Sequence, residues 1–245
     1  MASSLSERLT ERPLLLSYAL LSLLGVQWEV HYQSRIPDPP TSLVVVSNHR
    51  SFLDAPLLMM AVQRTIHFAC HHYMGQVPGL REVVDSLGCF PLDSPSQRSR
   101  SLFTQAGELL QRGAAVGLFP EGAEPMIQTN TPRSMYRFHR GFSHLALRTP
   151  ISPLGVLPIA IVALEETQGV EFPVQVLSWF DPSEPLFKQS HWHSAVLYRR
   201  VQLRIGEPQW IREDDRQAYW GAQARHQVKT LSDHCYEQIQ GLLRL

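Results

Sequence analysis

Apolar positions along this chain form two kinds of run, and their alternation predicts an open α/β sheet with helices packed against it. Continuous apolar runs bounded by turn residues read as buried strands. These are Leu43 to Ser47, Ile66 to Cys70, Leu87 to Leu92 and Ala115 to Phe119. Later strands are expected at Leu157 to Val162, Val174 to Ser178, and Val201 to Ile205, the last bounded by Gly206-Glu207-Pro208. Between them the apolar period lengthens to that of a helix. One helix is expected from about Ala55 to Arg64, with Asp54 or Ser51 as N-cap and Pro56 in the first turn. A second runs from Gln97 to Arg112, with Leu102, Ala106, Leu109 and Leu110 on one stripe and Gly113 as C-cap. Phe142 to Arg148 and a tail from about Arg216 to Leu245 complete the set. No repeat or low-complexity tract interrupts this order, so the expected fold is a single-domain mixed sheet flanked by helices.

The N-terminal pattern is different. Pro13 to Trp28 is apolar, has no small-x-small cleavage site after it, and is shorter than the roughly 20 residues a spanning helix needs. It fits either a buried core helix or an interfacial helix with Trp28 and Tyr32 at headgroup level. The sequence that follows favours the interfacial reading. Residues 1–36 are therefore assigned to an apolar membrane-interface segment, closed by Pro37, Pro39 and Pro40, and residues 37–245 to one globular domain.

Composition narrows the function. Of 245 residues, 44% are hydrophobic and 18% charged, which argues for a folded domain with an apolar surface region and against disorder. Lys plus Arg equals Asp plus Glu at 22 each, so charge gives no argument for a nucleic-acid partner. Cys70, Cys89 and Cys235 are far apart and form no C-x-x-C pair, which argues against a disulfide framework or a zinc ribbon and fits a reducing cytoplasmic setting.

In such folds the functional groups gather where strands end. Two strand ends carry chemistry: Ser47-Asn48-His49-Arg50-Ser51-Phe52-Leu53-Asp54 and Phe119-Pro120-Glu121-Gly122. Inside one helix His49 and Asp54 would diverge by about 140°. They can meet if His49 is still in the loop and Asp54 is in the first helical turn. Asp54 would then fix the imidazole tautomer and leave the other nitrogen as a base. The alternative is that Asp54 only caps the helix. No nucleophile stands beside them in sequence. Gly141-Phe142-Ser143-His144-Leu145 lacks the last glycine of a G-x-S-x-G elbow, and no P-loop, G-x-G-x-x-G or H-E-x-x-H occurs. A substrate hydroxyl, deprotonated directly, can fill that role. His67, Cys70, His71 and His72 could suggest a metal cluster, but strand alternation splits His67 from Cys70, and no metal site is expected.

Asn48 to Asp54 matches the NHxSxxD form of the H-x-x-x-x-D signature of the glycerolipid (PlsC-like) acyltransferase family. Phe119-Pro120-Glu121-Gly122 resembles that family's F-P-E-G motif at the family's spacing. Leu87 to Asp93, Leu157 to Ile161 and Arg204 to Pro208 resemble its other blocks, so the likeness spans nearly the whole chain. The resemblance implies a PlsC-like fold and acyl transfer to a lipid hydroxyl. His49 would be the base and Asp54 its orienting partner, and Glu121 and Gly122, with Asn48, Arg50 and Arg140 beside them, would bind or position the acceptor. The donor would be acyl-CoA or acyl carrier protein, with no metal or other cofactor. The usual acceptor is a lysophospholipid, most often 1-acyl-glycerol 3-phosphate. The protein would be peripheral or monotopic on the membrane, with its site on the cytoplasmic side.

Two departures bear on the acceptor. Ala123-Glu124 stands where the family usually has Thr-Arg, and Asp93-Ser94-Pro95 where a block usually ends in arginine. Those arginines hold the acceptor phosphate, and a carboxylate there repels it. Arg50, Arg98, Arg100 and Arg140 are candidate replacements. Otherwise the acceptor is a lipid alcohol without phosphate. A thioesterase, or a lipid-binding member without turnover, are the remaining readings.

Overall fold

Every side chain from Ser42 to Ser47 is buried, because this strand runs through the middle of a sheet covered on both faces. The computed structural model describes residues 2–70, 80–93, 97–122, 125, 131–173 and 192–245. Its elements begin with α1 (Ala2–Leu23), β1 (Gln27–His31), β2 (Ser42–Ser47), α2 (Asp54–Val62) and β3 (Ile66–Cys70). Then come α3 (Leu80–Ser86), β4 (Phe90–Pro91), α4 (Arg98–Gln111), β5 (Ala115–Leu118) and α5 (Gly141–Arg148). The chain continues through β6 (Leu154–Pro173), β7 (Trp192–Ile205), β8 (Gln209–Ile211), α6 (Glu213–Trp220) and α7 (Ala224–Arg244). The described strands form one mixed sheet in the order β1-β7-β6-β2-β5-β3-β4, with β8 also on β6. Strands β6, β2, β5, β3 and β4 run parallel to one another, β7 and β8 are antiparallel to β6, and β1 is parallel to β7.

Strand alternation sorts the apolar run of β2 into two cores. Val44 and Val46 pack with Leu110 of α4, Phe142 and Leu145 of α5 and Ile239 of α7. Leu43 and Val45 pack on the other face with Leu57, Leu58 and Met59 of α2 and Leu21 of α1. Helix α1 docks through Pro13, Ser17 and Leu21, one position per turn, and Ser17 Oγ reaches Met59 Sδ at 3.5 Å. Its outer face keeps Leu15, Leu16, Tyr18 and Leu23 exposed, Leu23 at 85%. No helix among the described residues is long and apolar enough to cross a membrane.

Several expectations change. Leu87 to Leu92 is not one strand. Residues 80–86 form α3, and Gly88, at φ +70°, reverses the chain so that only Phe90–Pro91 joins the sheet. Gly88 N–H bonds to Asp85 O and Cys89 N–H to Val84 O, the paired bonds that close a helix through a left-handed residue. Trp28 lies on edge strand β1, within residues 1–36, and not in a helix. The run Leu157 to Val162 is the inner part of a strand that continues to Pro173, paired with β7. The tail is two helices, broken at Gly221. Strand β8 had no clear signal because it has only three residues. The expected strand Val174 to Ser178 lies outside the described residues.

Candidate active site

Strand β2 delivers Asn48 and His49 to the C-terminal edge of the sheet, and β5 delivers Phe119 to Gly122 beside them. Asn48 continues the strand through its side chain. Its Oδ1 accepts from Ile161 N–H at 2.8 Å and its Nδ2 donates to Ile161 O at 3.0 Å. His49 then turns off the sheet. Its Nδ1 lies 2.8 Å from Asp54 Oδ2. His49 sits in the loop and Asp54 in the first turn of α2, the arrangement in which residues five apart can meet here.

The capping expectation is corrected. Leu53 occupies the N-cap position without a side-chain bond, and Asp54 is the first helical residue. Its carboxylate turns back into the loop, away from the free N–H groups of the helix. Oδ2 accepts from Arg50 N–H at 2.6 Å and from Ser51 N–H at 2.8 Å, besides His49. Oδ1 accepts from the Tyr198 hydroxyl at 2.8 Å. Asp54 is fully buried, and these four donors satisfy it. The Nδ1–H tautomer of His49, the one able to donate to Asp54, leaves Nε2 without a hydrogen bond among the described residues.

Aromatic rings hold the imidazole from its flat side. His49 stacks on Phe119 at 4.0 Å between centroids, and Phe119 stacks on Phe68 at 5.1 Å. His49 keeps 18% of its side chain exposed, and Phe52, three residues on, is 50% exposed at the same edge.

Phe119 to Gly122 forms a tight turn, with Gly122 N–H bonded to Phe119 O at 3.1 Å and Gly122 at φ +73°. Glu121 is buried, and both its oxygens accept backbone N–H groups: Oε1 from His49 at 3.0 Å, Oε2 from Tyr136. Burial raises its carboxyl above the ordinary glutamate value, and the Tyr136 and His49 amides pull it partly back. The carboxylate therefore positions the His49 loop. Gly122 faces the His139 ring, which would stand 3.5 Å from an added β-carbon.

The arginines fare differently. Arg50 points to β6, where Nε and Nη2 bond to the two carboxylate oxygens of Glu166 at 2.8 and 2.6 Å. Its hydrogen bond to Glu166 raises its pKa. Arg140 is exposed just before α5, and its guanidinium makes no ion pair or hydrogen bond with the described residues. Thus His49, Asp54, Asn48, Arg50, Glu121 and Gly122 share one strand-end cluster, and Arg140 follows His139, whose N–H bonds to Pro120 O beside it. Residues 71–72, 94–95 and 123–124, raised above for metal or phosphate, lie outside the described residues. His67 Nδ1 sits 2.7 Å from Gly88 O, and the described residues contain no group of three or more potential metal ligands. Ser143 is fully buried within α5, out of reach of a substrate.

Tyr198 and Glu166 were missed in the sequence. Both lie within long strands, Glu166 on β6 and Tyr198 on β7, and nothing near them in sequence points to the His49 loop. The only available signal was the need of a buried Asp54 for more donors than its own loop supplies.

A family model described as Acyltransferase matches residues 27–162. Over 128 residues the chain is 28% identical to the chloroplastic 1-acyl-sn-glycerol-3-phosphate acyltransferase LPAT1 of Arabidopsis thaliana, covering 52% of this chain and 33% of that protein. It is 26% identical over 138 residues to the chloroplastic 1-acyl-sn-glycerol-3-phosphate acyltransferase BAT2 of Brassica napus, covering 55% and 38% respectively. The matches thus span about a third of the first relative's own length and 38% of the second's. The crystal structure of the 1-acyl-sn-glycerophosphate acyltransferase PlsC from Thermotoga maritima superimposes with a TM-score of 0.57 at 19% identity, over 94% of this chain and 79% of that one. That likeness is one of fold.

Proposed function

The chain belongs to the Acyltransferase family, and from that premise we propose that it moves a fatty acyl group from a thioester donor onto a glycerolipid hydroxyl, with His49 as general base. The observation that carries the proposal is the 2.8 Å contact between His49 Nδ1 and the buried Asp54, which leaves Nε2 to face a substrate. Nε2 takes the proton of the lipid hydroxyl as its oxygen attacks the thioester carbonyl. The new ester C–O bond forms, the C–S bond breaks, and the proton on Nε2 passes to the leaving thiolate. Transfer is direct, without an acyl-enzyme. The burial of Ser143 supports this, since it removes the one serine resembling a nucleophile elbow.

The donor is acyl-CoA or acyl carrier protein. The acceptor follows the curated relatives, which are named for 1-acyl-sn-glycerol 3-phosphate. One observation favours a second acceptor class, a lipid alcohol without phosphate: the arginine nearest His49 in sequence already carries a bidentate carboxylate partner. The protein works on a membrane surface, held there by the exposed apolar face of α1, with Phe52 beside the site reaching the same lipid.

The deciding experiment offers a labelled acyl thioester with lysophosphatidate, a monoacylglycerol and other lysophospholipids, and identifies products by mass. Product on lysophosphatidate above all others supports the phosphate acceptor, and preference for the monoacylglycerol supports the neutral one. Release of free fatty acid alone, or no turnover with any acceptor, would overturn the transferase reading.

A further inference from the structure

The loop that carries His49 is fastened to the hairpin of β6 and β7 at four successive points. Asn48 bonds both backbone groups of Ile161, Arg50 grips Glu166, Ser51 Oγ donates to Val196 O at 2.7 Å, and Asp54 receives the Tyr198 hydroxyl. Glu166 and Tyr198 are cross-strand partners, so their side chains leave the same face of the hairpin side by side. The pairing is irregular just here. One register shift falls between Ala163 and Glu165 and the next between Glu165 and Glu166. Each displaces the pairing by one residue, in opposite senses. Bulges of this kind re-aim side chains beside active sites.

Tyr198 is fully buried and would need a strong reason to place a hydroxyl there. Its partner is the one Asp54 oxygen not used by the His49 loop. Burial, and then the neighbouring Asp54 charge, push the phenol well above its ordinary value, so the hydroxyl keeps its proton and can only donate to that oxygen.

We propose that Tyr198 is a positioning residue for acyl transfer, orienting Asp54, and through it the imidazole of His49, from a strand outside both signature motifs. Arg50–Glu166, directly opposite Tyr198 across the strand pair, locks the same loop. The proposal rests on the acyl-transfer reading for its kinetic consequence but not for its structural one. The charged and titratable groups around Asp54 are His49 and Arg50 on its own loop, Glu121 after β5, Glu166 on β6 and Tyr198 on β7. Removing the hydroxyl leaves more of the carboxylate charge to be met by His49, so the pair takes up a proton more readily.

The test compares wild type, Tyr198→Phe, Asp54→Asn and the double variant. In Tyr198→Phe the titration midpoint of the His49 ring, followed by nitrogen NMR, should move to higher pH by about half a unit or more. The acidic limb of the rate profile should follow it. Turnover should fall about tenfold with KM little changed, as expected for loss of a hydrogen bond to a charged group. In the Asp54→Asn background the Tyr198 substitution should add almost nothing. If Tyr198→Phe is too unstable to study, 3-fluorotyrosine at 198 keeps the shape with a stronger donor, and the midpoint should move down. A folded Tyr198→Phe protein with an unmoved His49 midpoint would overturn the proposal, as would full additivity with Asp54→Asn. If the midpoint moves as expected while no variant, wild type included, transfers an acyl group, the acyl-transfer reading fails and the positioning of His49 stands.

Discussion

Gly117 and Phe68 pair across β5 and β3, and a β-carbon on Gly117 would stand 2.2 Å from the Phe68 ring. That ring stacks on Phe119, and Phe119 stacks on His49. The missing side chain at 117 therefore sets the imidazole's place through two aromatic layers. Gly117→Ala should cost about 1–3 kcal/mol of stability, the usual scale of overpacking. It should also lower turnover by more than a distant core variant of equal stability does. Thermal melts alongside initial rates would check this, and unaltered values of both would show that the stack does not depend on Gly117.

His49→Ala should lower acyl transfer by roughly two orders of magnitude or more with the fold retained. Asp54→Asn should be comparably severe, because the amide cannot accept all four donors. Ser143→Ala should be mild. Purified variants with matched circular dichroism give the comparison, and wild-type turnover in His49→Ala would end the mechanism.

Glu121 offers a pH signature. Its carboxyl is raised by burial, so the folded chain holds that proton more tightly than the unfolded one. The associated stability is complete below the ordinary glutamate value and is lost as pH rises through the folded value. Glutamine at 121 cannot titrate. The melting temperature of wild type relative to Glu121→Gln should therefore fall as pH rises above the ordinary glutamate value. A difference that stays constant over this range would contradict it.

The thiols should be inert in the native state. Burial pushes Cys70 and Cys235 up to about 12 and Cys89 up to about 11. Since the thiolate is the reactive form, a disulfide reagent at about pH 8 should titrate almost none of them until the chain is unfolded, when all three respond. Rapid native labelling of Cys70 or Cys89 would refute this.

Replacing Leu15, Leu16 and Leu23 with serine should release the protein from lipid vesicles in a flotation assay while leaving its melting point nearly unchanged. These side chains project outward, and the opposite edge of α1, through Pro13, Ser17 and Leu21, holds the helix to the domain. Undiminished flotation would place the membrane contact elsewhere.

The inner strands were readable because burial on both faces leaves an unbroken apolar run, as in Leu43 to Val46. His49 and Asp54 were readable because strand and helix boundaries fix where a loop residue and a first-turn residue meet. What hid was set by long-range contact or by turn geometry. Gly88 converts half an apolar run into a helix end. The outer half of β6, with Glu165, Glu166 and Thr167, leaves the covered core and so loses the apolar signal. Glu121, assigned to binding or positioning the acceptor, also holds two backbone amides with its oxygens, a use that depends on where Tyr136 returns to the site.

Strand β7 lies between β1 and β6, so the sheet cannot be complete without residues that follow the second signature by some 70 positions or more. A fragment of residues 27–162 would contain both motifs and still be bare along one flank, where unpaired amides and carbonyls invite other chains to add on. Such a truncation should precipitate before it could be assayed. Boundaries drawn around the recognisable motifs are therefore the wrong place to cut this protein for expression.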